Sequence, residues 1–142
     1  MAFKRPESIL VIVYTKDAQV LMLERVQPEG FWQSVTGSLY DGESAIDAAH
    51  RELKEETGLQ GELIETGIEN TFPIIEAWRA RYAPDVLENH ETVFALPLET
   101  ICEVQLNAEE HIDQCWLPRE QAARKVSSWT NRDAILALVP EV

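Results

Sequence analysis

The sequence predicts one folded domain of the α/β or α+β class. Its 142 residues match the size of an ordinary domain, and 45% of them are hydrophobic, which is enough for one core. Short β-forming runs precede and separate segments with helical periodicity. Because no repeat, low-complexity tract or Ser/Gly linker divides the chain, residues 1–142 are expected to form a single domain.

The first elements are predicted to be two strands of a hairpin. Residues 8–15 (SILVIVYT) and 20–25 (VLMLER) are rich in β-branched and large apolar side chains, and the turn-like segment 16–19 (KDAQ) joins them. The apolar run 9–14 is far shorter than the roughly 18 residues of a membrane-spanning helix. It also lacks a small-residue cleavage site, so we expect a buried strand rather than a membrane or leader segment.

A helix is predicted to begin near residue 45 and to end at about Thr57. Residues 31–41 (FWQSVTGSLYD) mix β-forming residues with a glycine, and residues 42–44 (GES) then provide a turn and a helix N-cap. Gly58 is expected to end the helix in the left-handed conformation. The apolar positions that recur at helical spacing are Ala45, Ala48, Ala49 and Leu53.

The second half of the chain is predicted to contain short strands followed by helices. The β-forming runs lie around residues 62–65, 72–78, 92–98 and 114–117. Pro73, Pro84 and Pro97 are expected to mark edges or loops. From Pro118 onward the pattern indicates helix, with a second helical segment over residues 131–139.

The charge and the cysteines limit the classes of function. A net charge of −13 argues against broad electrostatic binding to nucleic acid or to an anionic membrane. A small anionic substrate remains compatible if divalent cations and a few Lys or Arg side chains reverse the field locally. Cys102 and Cys115 lie in apolar sequence and outside any metal or redox spacing, which predicts structural thiols in a reducing cytoplasm.

Three glutamates are predicted to lie on one side of the helix near its C-terminal end. At about 100° per residue, Glu52, Glu55 and Glu56 fall within an arc of about 100°. Like charges this close repel one another, and a hard divalent cation such as Mg²⁺ would relieve the repulsion. The alternative is a solvated acidic face, stabilised by i,i+4 pairs such as Arg51 with Glu55.

The spacing of these residues decides between the two interpretations. Residues 37–59 read GSLYDGESAIDAAHRELKEETGL, with Glu43 six residues after Gly37 and the run RELKEETGL beginning at Arg51. The pattern resembles the signature of the Nudix hydrolase family: Gly, five residues, Glu, seven residues, Arg-Glu, an aliphatic residue, any residue, Glu-Glu, any residue, Gly and an aliphatic residue. Every specified position is matched, and chance agreement has a probability on the order of one in a million or less.

The resemblance implies both a fold and a set of roles. The implied fold is the α/β/α Nudix sandwich, a mixed, curved β-sheet between helices, with the signature forming a loop–helix–loop. Glu52 and Glu56 would be the principal metal ligands, and Glu55 would bind metal or help to activate water. Arg51 and Glu43 would orient the cluster, and the carbonyl of Gly37 would join the metal shell. The implied cofactor is Mg²⁺, with Mn²⁺ as its substitute.

A narrower resemblance covers nearly the whole chain. The segments KRPESILVIVYT, VLMLER, FWQSVTGS, RYAP, EHIDQCWL and SWTNRDAI are similar to the bacterial dihydroneopterin triphosphate pyrophosphatases of folate synthesis. This group implies that Glu110 is a further acidic residue at the metals and that residues 72–75 contact the pterin. Trp32 would either pack beside a bound ring or belong to the core. The substrate-contacting positions implied by the group are Lys4, Arg25, Thr36 and Ser128.

The reaction implied is Mg²⁺-dependent hydrolysis of dihydroneopterin triphosphate to the monophosphate and pyrophosphate, with Glu110 or Glu55 taking the proton of water. One alternative is the same chemistry on a nucleoside triphosphate, an oxidised nucleotide or a dinucleoside polyphosphate. A second alternative is a Nudix domain that binds a ligand without catalysis.

The histidines form no ligand spacing and are given no catalytic role. The expected partner is a small pterin or nucleoside triphosphate, and neither nucleic acid nor membrane is expected to bind. The protein is expected to be a cytoplasmic monomer or weak homodimer.

Overall fold

Seven strands pair into one mixed sheet in the computed structural model, which describes residues 3–142. The strands are β1 (Glu7–Thr15), β2 (Gln19–Arg25), β3 (Trp32–Gln33), β4 (Val35–Ser38), β5 (Ile64–Pro73), β6 (Glu88–Leu98) and β7 (His111–Pro118). The helices are α1 (Ala45–Thr57), α2 (Arg119–Lys125) and α3 (Trp129–Leu138), and a 3₁₀ helix spans Glu76–Arg81. No helix of the described residues is long and apolar enough to cross a membrane.

Strand β1 lies at the centre of the sheet. It pairs in parallel with β6 along its whole length, and β5 lies antiparallel beside β6 as an outer strand. On its other side β1 pairs antiparallel with β4 over residues 8–11 and meets β2 at Tyr14. Strand β2 then pairs with both β3 and β7. Because β1 changes partner along its length, the sheet opens between β4 and β2, and the candidate site lies at this opening.

The alternation of side chains along β1 builds two cores, one on each face of the sheet. Ile9, Val11 and Val13 face α1, where they pack with Ala48, Ala49 and Leu53. Leu10 and Ile12 face the opposite side, where they pack with residues of α2 and α3. Full burial of each large apolar side chain stabilises the fold by about 1.5–3 kcal/mol. The predicted α/β/α arrangement with a mixed sheet is confirmed.

Helix α1 is fixed at both ends by the residues that the sequence indicated. The Ser44 hydroxyl accepts a hydrogen bond from the backbone N–H of Asp47 at 3.3 Å, which satisfies a donor of the first turn. Gly58 ends the helix with a φ of 74°, a conformation that a side chain would strain, and its N–H bonds to the carbonyl of Lys54. These caps fix where the helix begins and ends. They therefore also fix the position of its last two turns relative to the sheet.

Two sequence predictions about the second half of the chain are wrong. The strand expected over residues 72–78 is divided, since β5 ends at Pro73 and Trp78 belongs to the 3₁₀ helix. Pro73 is tolerated because β5 is an outer strand. Pro97 was expected at an edge or in a loop, but it lies inside β6 and pairs with Tyr14. Strand β5 begins opposite Ala95, so Pro97 has a strand neighbour on one side only.

The cysteines differ from their predicted surroundings. Cys102 is exposed, in the irregular segment between β6 and β7, and only Cys115 is partly buried. Both are free thiols. Apolar neighbours in the sequence did not bury Cys102, because the segment around it pairs with no strand and packs only a few side chains onto the first core.

Candidate metal and substrate site

Two glutamates of α1 point inward and one points outward. Glu52 is 8% exposed and Glu56 is fully buried, whereas the Glu55 side chain is 44% exposed. The expectation that all three carboxylates converge on one face is therefore only partly met. An arc of about 100° is wide enough to extend from the packed side of a helix to solvent.

The Glu56 carboxylate is the least compensated group in the site. Neither of its oxygens has a hydrogen-bond partner among the described residues, although both are buried. Burial, together with Glu52 and Glu110, raises the pKa of Glu56 well above its ordinary value. A buried carboxylate whose charged neighbours are other carboxylates is unfavourable as an ion unless a cation accompanies it. The donor set of Glu52, Glu56 and Glu110 therefore fits a hard divalent cation, which prefers oxygen ligands.

Gly37 leaves the space that Glu52 occupies. A Cβ atom at this position would lie 2.5 Å from Oε2 of Glu52 and still closer to Cδ, which no real contact allows. The backbone of β4 and the carboxylate are therefore in direct contact. This explains why the signature requires glycine here, and it brings the strand and the helix together at the candidate metal site.

Arg51 joins the acidic residues into one network. Its guanidinium makes two hydrogen bonds to Glu43, one to Glu52 and one to the carbonyl of Ser38 at 3.0 Å. The hydrogen bonds from Arg51 lower the pKa of Glu43 to about 2, and those to Glu43 and Glu52 raise the pKa of Arg51. Arg51 also contacts Glu55 at 3.4 Å, so the i,i+4 pair considered from the sequence exists within the same network.

Glu110 reaches the site from the other side of the sheet opening. It lies directly before β7, and its carbonyl accepts a hydrogen bond from the N–H of Val26. Ligating atoms of Glu110, Glu56 and His111 lie within 4.8 Å of one another. Partial burial and the charges of Glu52 and Glu55 raise the pKa of Glu110. The structure thus brings together a residue of the signature and one more than fifty positions away.

His111 is a site residue that sequence reasoning missed. Its imidazole is buried, with Nε2 lying 3.2 Å from Gln33 Nε2 and 3.7 Å from Glu56 Oε1. Burial, and the charge of Arg25, lower the pKa of His111 to about 4, so the ring is neutral near pH 7. Its sequence signals were its position next to Glu110 and its place in the segment EHIDQCWL. A register shift between Glu24 and Arg25 in the pairing of β2 with β7 sets where it lies, and no sequence pattern predicted that irregularity.

Three basic residues gather opposite the acidic cluster. Lys4 and Arg25 were expected to contact substrate, and Arg81, at the end of the 3₁₀ helix, was missed. The backbone N–H of Lys4 donates to the carbonyl of Arg81 at 2.7 Å. Burial, followed by repulsion from Arg81, lowers the pKa of both Lys4 and Arg25. Within residues 3–142 none of the three forms an ion pair with a carboxylate, which leaves their charge available to an anion.

Two cavities meet at the site. A polar cavity of about 350 Å³ is lined by Arg25, Arg81, Glu110 and His111, among others. A more apolar cavity of about 430 Å³ lies beside it and is lined by aromatic side chains of several elements. The two cavities share Arg25, Gln33 and Thr36.

The predicted substrate residues are distributed unequally between these cavities. Thr36 lines both, although its hydroxyl donates to the carbonyl of Ile9 at 2.7 Å. Ser128 lines only the apolar cavity, and its Oγ lies 2.9 Å from the Thr130 hydroxyl. Lys4 lines neither cavity and approaches the polar one through Arg81. Helix α3 begins at Trp129, and Ser128 occupies its N-cap position without a side-chain hydrogen bond to the first turn.

Aromatic packing defines the wall of the apolar cavity. Phe31 and Trp78 make an edge-to-face contact with centroids 5.6 Å apart, and the Arg25 guanidinium lies 5.1 Å from the Trp78 ring centre. Of the segment 72–75, Phe72, Pro73 and Ile75 line the same cavity, and Ile74 does not. Trp32 does not. It packs against the second core beneath Lys125, so the alternative of core packing is the one observed.

Comparison with known proteins agrees with this geometry. The sequence matches the NUDIX domain family over residues 4–138. It is 45% identical over 139 residues to dihydroneopterin triphosphate diphosphatase of Escherichia coli K12, covering 94% of this chain and 91% of that protein. A Haemophilus influenzae protein of the same name is 35% identical over 145 residues, which cover 95% of this chain and 88% of that protein.

Solved structures give the same result. The fold is similar to that of the E. coli dihydroneopterin triphosphate pyrophosphohydrolase, with a TM-score of 0.92, 41% identity and 98% of both chains covered. A Caenorhabditis elegans Ap4A hydrolase, 21% identical, shares the fold with a TM-score of 0.71 over 92% of both chains. The family match spans almost the whole chain, and the loop–helix–loop of residues 37–59 brings its glutamates to the opening of the sheet. The chain therefore belongs to the Nudix family.

Proposed function

We propose that this protein hydrolyses dihydroneopterin triphosphate to dihydroneopterin monophosphate and pyrophosphate with the help of Mg²⁺. The observation that carries the proposal is the junction of two cavities, one polar and bordered by acidic and basic groups, the other apolar and aromatic. A phosphate chain suits the basic residues of the first cavity, and a flat ring suits the aromatic residues of the second. The 45% and 35% identity to proteins named for this activity supports the same substrate.

Glu52, Glu56 and Glu110 would hold the metal, together with the carbonyl of Gly37. The two unpartnered oxygens of Glu56 and the contact between Glu52 and Gly37 support this assignment. When bound, Mg²⁺ or Mn²⁺ supplies positive charge that polarises the phosphoryl oxygens and stabilises the charge that develops during cleavage. Arg51 and Glu43 act on Glu52 through the hydrogen-bond network and are therefore positioning residues.

The basic residues bind and orient the phosphate chain. Arg25 and Arg81 line the polar cavity without carboxylate partners in the described chain, and Lys4 lies beside them. Charged hydrogen bonds to phosphate are stronger than neutral ones, and arginine can form two at once. Thr36 and Ser128 complete the substrate-binding set, at the junction of the cavities and in the apolar cavity respectively.

Glu110 is the stronger candidate for the group that accepts the proton of the attacking water. It lines the polar cavity together with Arg25 and Arg81, the residues proposed to bind the phosphate chain. Glu55 is largely exposed and shares the Arg51 guanidinium. In the proposed step, water adds to phosphorus, its proton passes to Glu110, and the bridge between the α- and β-phosphates breaks to release pyrophosphate.

We also propose that residues 1–142 act as one domain, as a cytoplasmic monomer or weak homodimer that binds small molecules and neither nucleic acid nor membrane. The net charge of −13 and the two free thiols support these assignments.

A substrate panel tests the proposed function. With Mg²⁺ present, kcat/KM for dihydroneopterin triphosphate, measured as pyrophosphate release, should exceed that for dGTP, 8-oxo-dGTP and dATP. We expect residual activity on dGTP, reduced about 10–200-fold by the misfit of the ribose and the ring. EDTA should abolish all activity. A preference of tenfold or more for a nucleotide would overturn the substrate assignment, and no hydrolysis of any compound would favour a ligand-binding module.

A further inference from the structure

Glu91 places a buried carboxylate in the wall of the apolar cavity. It lies on β6, is 5% exposed and lines the cavity together with Phe31, Phe72 and Trp78. Of the described residues that line this cavity, Arg25 and Glu91 are the charged ones, and Arg25 lies at the junction with the polar cavity. Charged side chains are rarely buried against aromatic rings unless a partner accompanies them.

The internal partners of Glu91 leave part of the carboxylate unused. Asn70 Nδ2 donates to Oε1 at 3.3 Å, a long hydrogen bond. Burial raises the pKa of Glu91, and this effect is larger than the lowering of the pKa by the hydrogen bonds from Thr130 and Asn70. An ionised carboxylate accepts about four hydrogen bonds, so acceptor positions remain after these two contacts.

The side-chain amide of Asn131, which also lines this cavity, already makes hydrogen bonds within the protein. Asn131 Oδ1 accepts a hydrogen bond from the N–H of Ser34 at 2.8 Å, and its Nδ2 donates to the Ser34 hydroxyl at 3.0 Å. This amide therefore ties α3 to the segment between β3 and β4. Glu91, in contrast, has hydrogen-bonding capacity that a ligand can use.

We propose that Glu91 determines specificity by accepting two hydrogen bonds from the 2-amino-4-oxopyrimidine edge of the substrate ring. This edge presents an exocyclic amino group beside a ring N–H, two adjacent donors that match the two oxygens of a carboxylate. The aromatic side chains around Glu91 would contact the faces of the same ring. The inference rests on the proposed function for its substrate, since the pterin carries this edge, but guanine carries it as well.

The same geometry rejects adenine. Its corresponding edge presents one amino donor beside a ring nitrogen that accepts, so one carboxylate oxygen would face a lone pair. A site built around a buried hydrogen-bonding group discriminates strongly against a ligand that leaves that group unpaired. A glutamine at position 91 would reverse the preference, because an amide offers one acceptor and one donor side by side.

The first experiment compares Glu91→Gln with wild type on dGTP and dATP. The ratio of kcat/KM for dGTP to that for dATP should fall at least about tenfold in the variant, through loss on dGTP with dATP unchanged or improved. Glu65→Gln is the matched control, since Glu65 is exposed on β5 outside the cavity, and it should keep the wild-type ratio. An equal fall in both activities would mean a merely structural role and would overturn the proposal.

The second experiment needs neither catalysis nor metal. Neopterin, which has the ring edge but no phosphate, is titrated into the protein in EDTA, with quenching of tryptophan fluorescence as the readout. Wild type and Glu65→Gln should bind it at least about tenfold more tightly than Glu91→Gln. Equal affinity in all three proteins would overturn the role of Glu91.

The wild-type protein alone provides a third comparison. Removal of the 2-amino group, as in dITP, should lower kcat/KM at least about tenfold relative to dGTP. Equal rates for dITP and dGTP would contradict the inference. Failure of this inference can be distinguished from failure of the proposed function. A preference for dGTP over dihydroneopterin triphosphate would overturn the substrate assignment, whereas the role of Glu91 is tested by the nucleotide ratios alone.

Discussion

The Arg51 guanidinium binds both oxygens of the Glu43 carboxylate, with Nε 2.9 Å from Oε2 and Nη2 2.8 Å from Oε1. The contact joins the loop before α1 to the middle of that helix. Glu43 also accepts a hydrogen bond from the N–H of Tyr40, whose ring lies 3.7 Å from the Arg51 guanidinium carbon. Since the same guanidinium holds Glu52, the loop sets the position of a proposed metal ligand.

This pair predicts a specific loss of stability in acid. The folded-state pKa of Glu43, about 2, lies below its ordinary value of 4.5, so its stabilising effect is present above pH 4.5 and is lost as the pH falls towards 2. Glu43→Gln should destabilise the protein by about 2 kcal/mol at pH 7 and should flatten the loss between pH 4.5 and 2. Urea unfolding at several pH values measures both effects. Glu99→Gln, at an exposed pair with Lys16, serves as control, and a similar cost there would argue against a special role for Glu43.

The unpartnered carboxylate of Glu56 predicts opposite effects on stability and activity. Because its pKa is raised in the folded protein, the ionised group destabilises the metal-free state increasingly as the pH rises above 4.5. Glu56→Gln should raise Tm in EDTA at pH 7 by a few degrees, remove the stabilisation by Mg²⁺ and lower kcat by several orders of magnitude. Thermal unfolding with and without Mg²⁺ tests this, with the exposed Glu62→Gln as control. Unchanged stabilisation by Mg²⁺ would contradict the ligand assignment.

Gly37→Ala should act through Glu52. The added methyl group would overlap the carboxylate, so Glu52 must move, and kcat and the affinity for Mg²⁺ should both fall at least about tenfold. Gly61→Ala is a matched control, because its methyl group would lie 2.8 Å from Leu96 Cδ1 and disturb packing outside the site. If the two variants lose activity equally for equal losses of stability, the contact with Glu52 has no special importance.

Arg81 is predicted to bind phosphate. Arg81→Ala removes a cation from the polar cavity without breaking an ion pair within residues 3–142, so KM should rise about tenfold with little change in Tm. Arg124→Ala on α2, exposed and remote from the cavities, provides the control for net charge. Steady-state kinetics at two salt concentrations give the measurement, and identical KM values for the two variants would refute the assignment.

Substitution of Glu109 and of Glu110 in turn tests which of these two glutamates before β7 belongs to the site. Glu110→Ala should slow turnover at least about tenfold, a loss typical of a general base or supporting ligand. Glu109→Ala should have a much smaller effect, because the carboxylate that lies close to Glu56 and His111 is that of Glu110. Single-turnover rates at saturating Mg²⁺ distinguish the two, and the reverse order would shift the assignment by one residue.

Local patterns predicted most of the fold. Alternation along β1, helical spacing in α1 and the glycine at its end all depend on residues close in sequence, and each was confirmed. The division of the segment 72–78 was missed because its β-forming residues do not reveal where pairing with β6 stops. The exposure of Cys102 likewise depends on which distant strands leave the segment 99–110 unpaired.

The site was predictable only where a motif carried it. The acidic residues of the signature were located from their spacing, whereas Gln33, Arg81 and His111 lie outside the signature, in the segments FWQSVTGS, RYAP and EHIDQCWL, and received no role. They reach the polar cavity because β2, β3 and β7 pair there and because the 3₁₀ helix returns beside Lys4. Glu91 was missed because a lone glutamate in a strand gives no signal until the opposite wall of its cavity is known.

The partial overlap of the two cavities allows chemistry and recognition to change independently. The proposed metal ligands come from the continuous segment 37–56 and one residue before β7, while the ring cavity is assembled from side chains of many separate elements. Substitutions in the outer wall can therefore alter the accepted ring without disturbing the carboxylates. For protein engineering, libraries limited to the residues of the apolar cavity other than Arg25, Gln33 and Thr36 should yield new substrate ranges while preserving turnover, because those three residues also line the polar cavity.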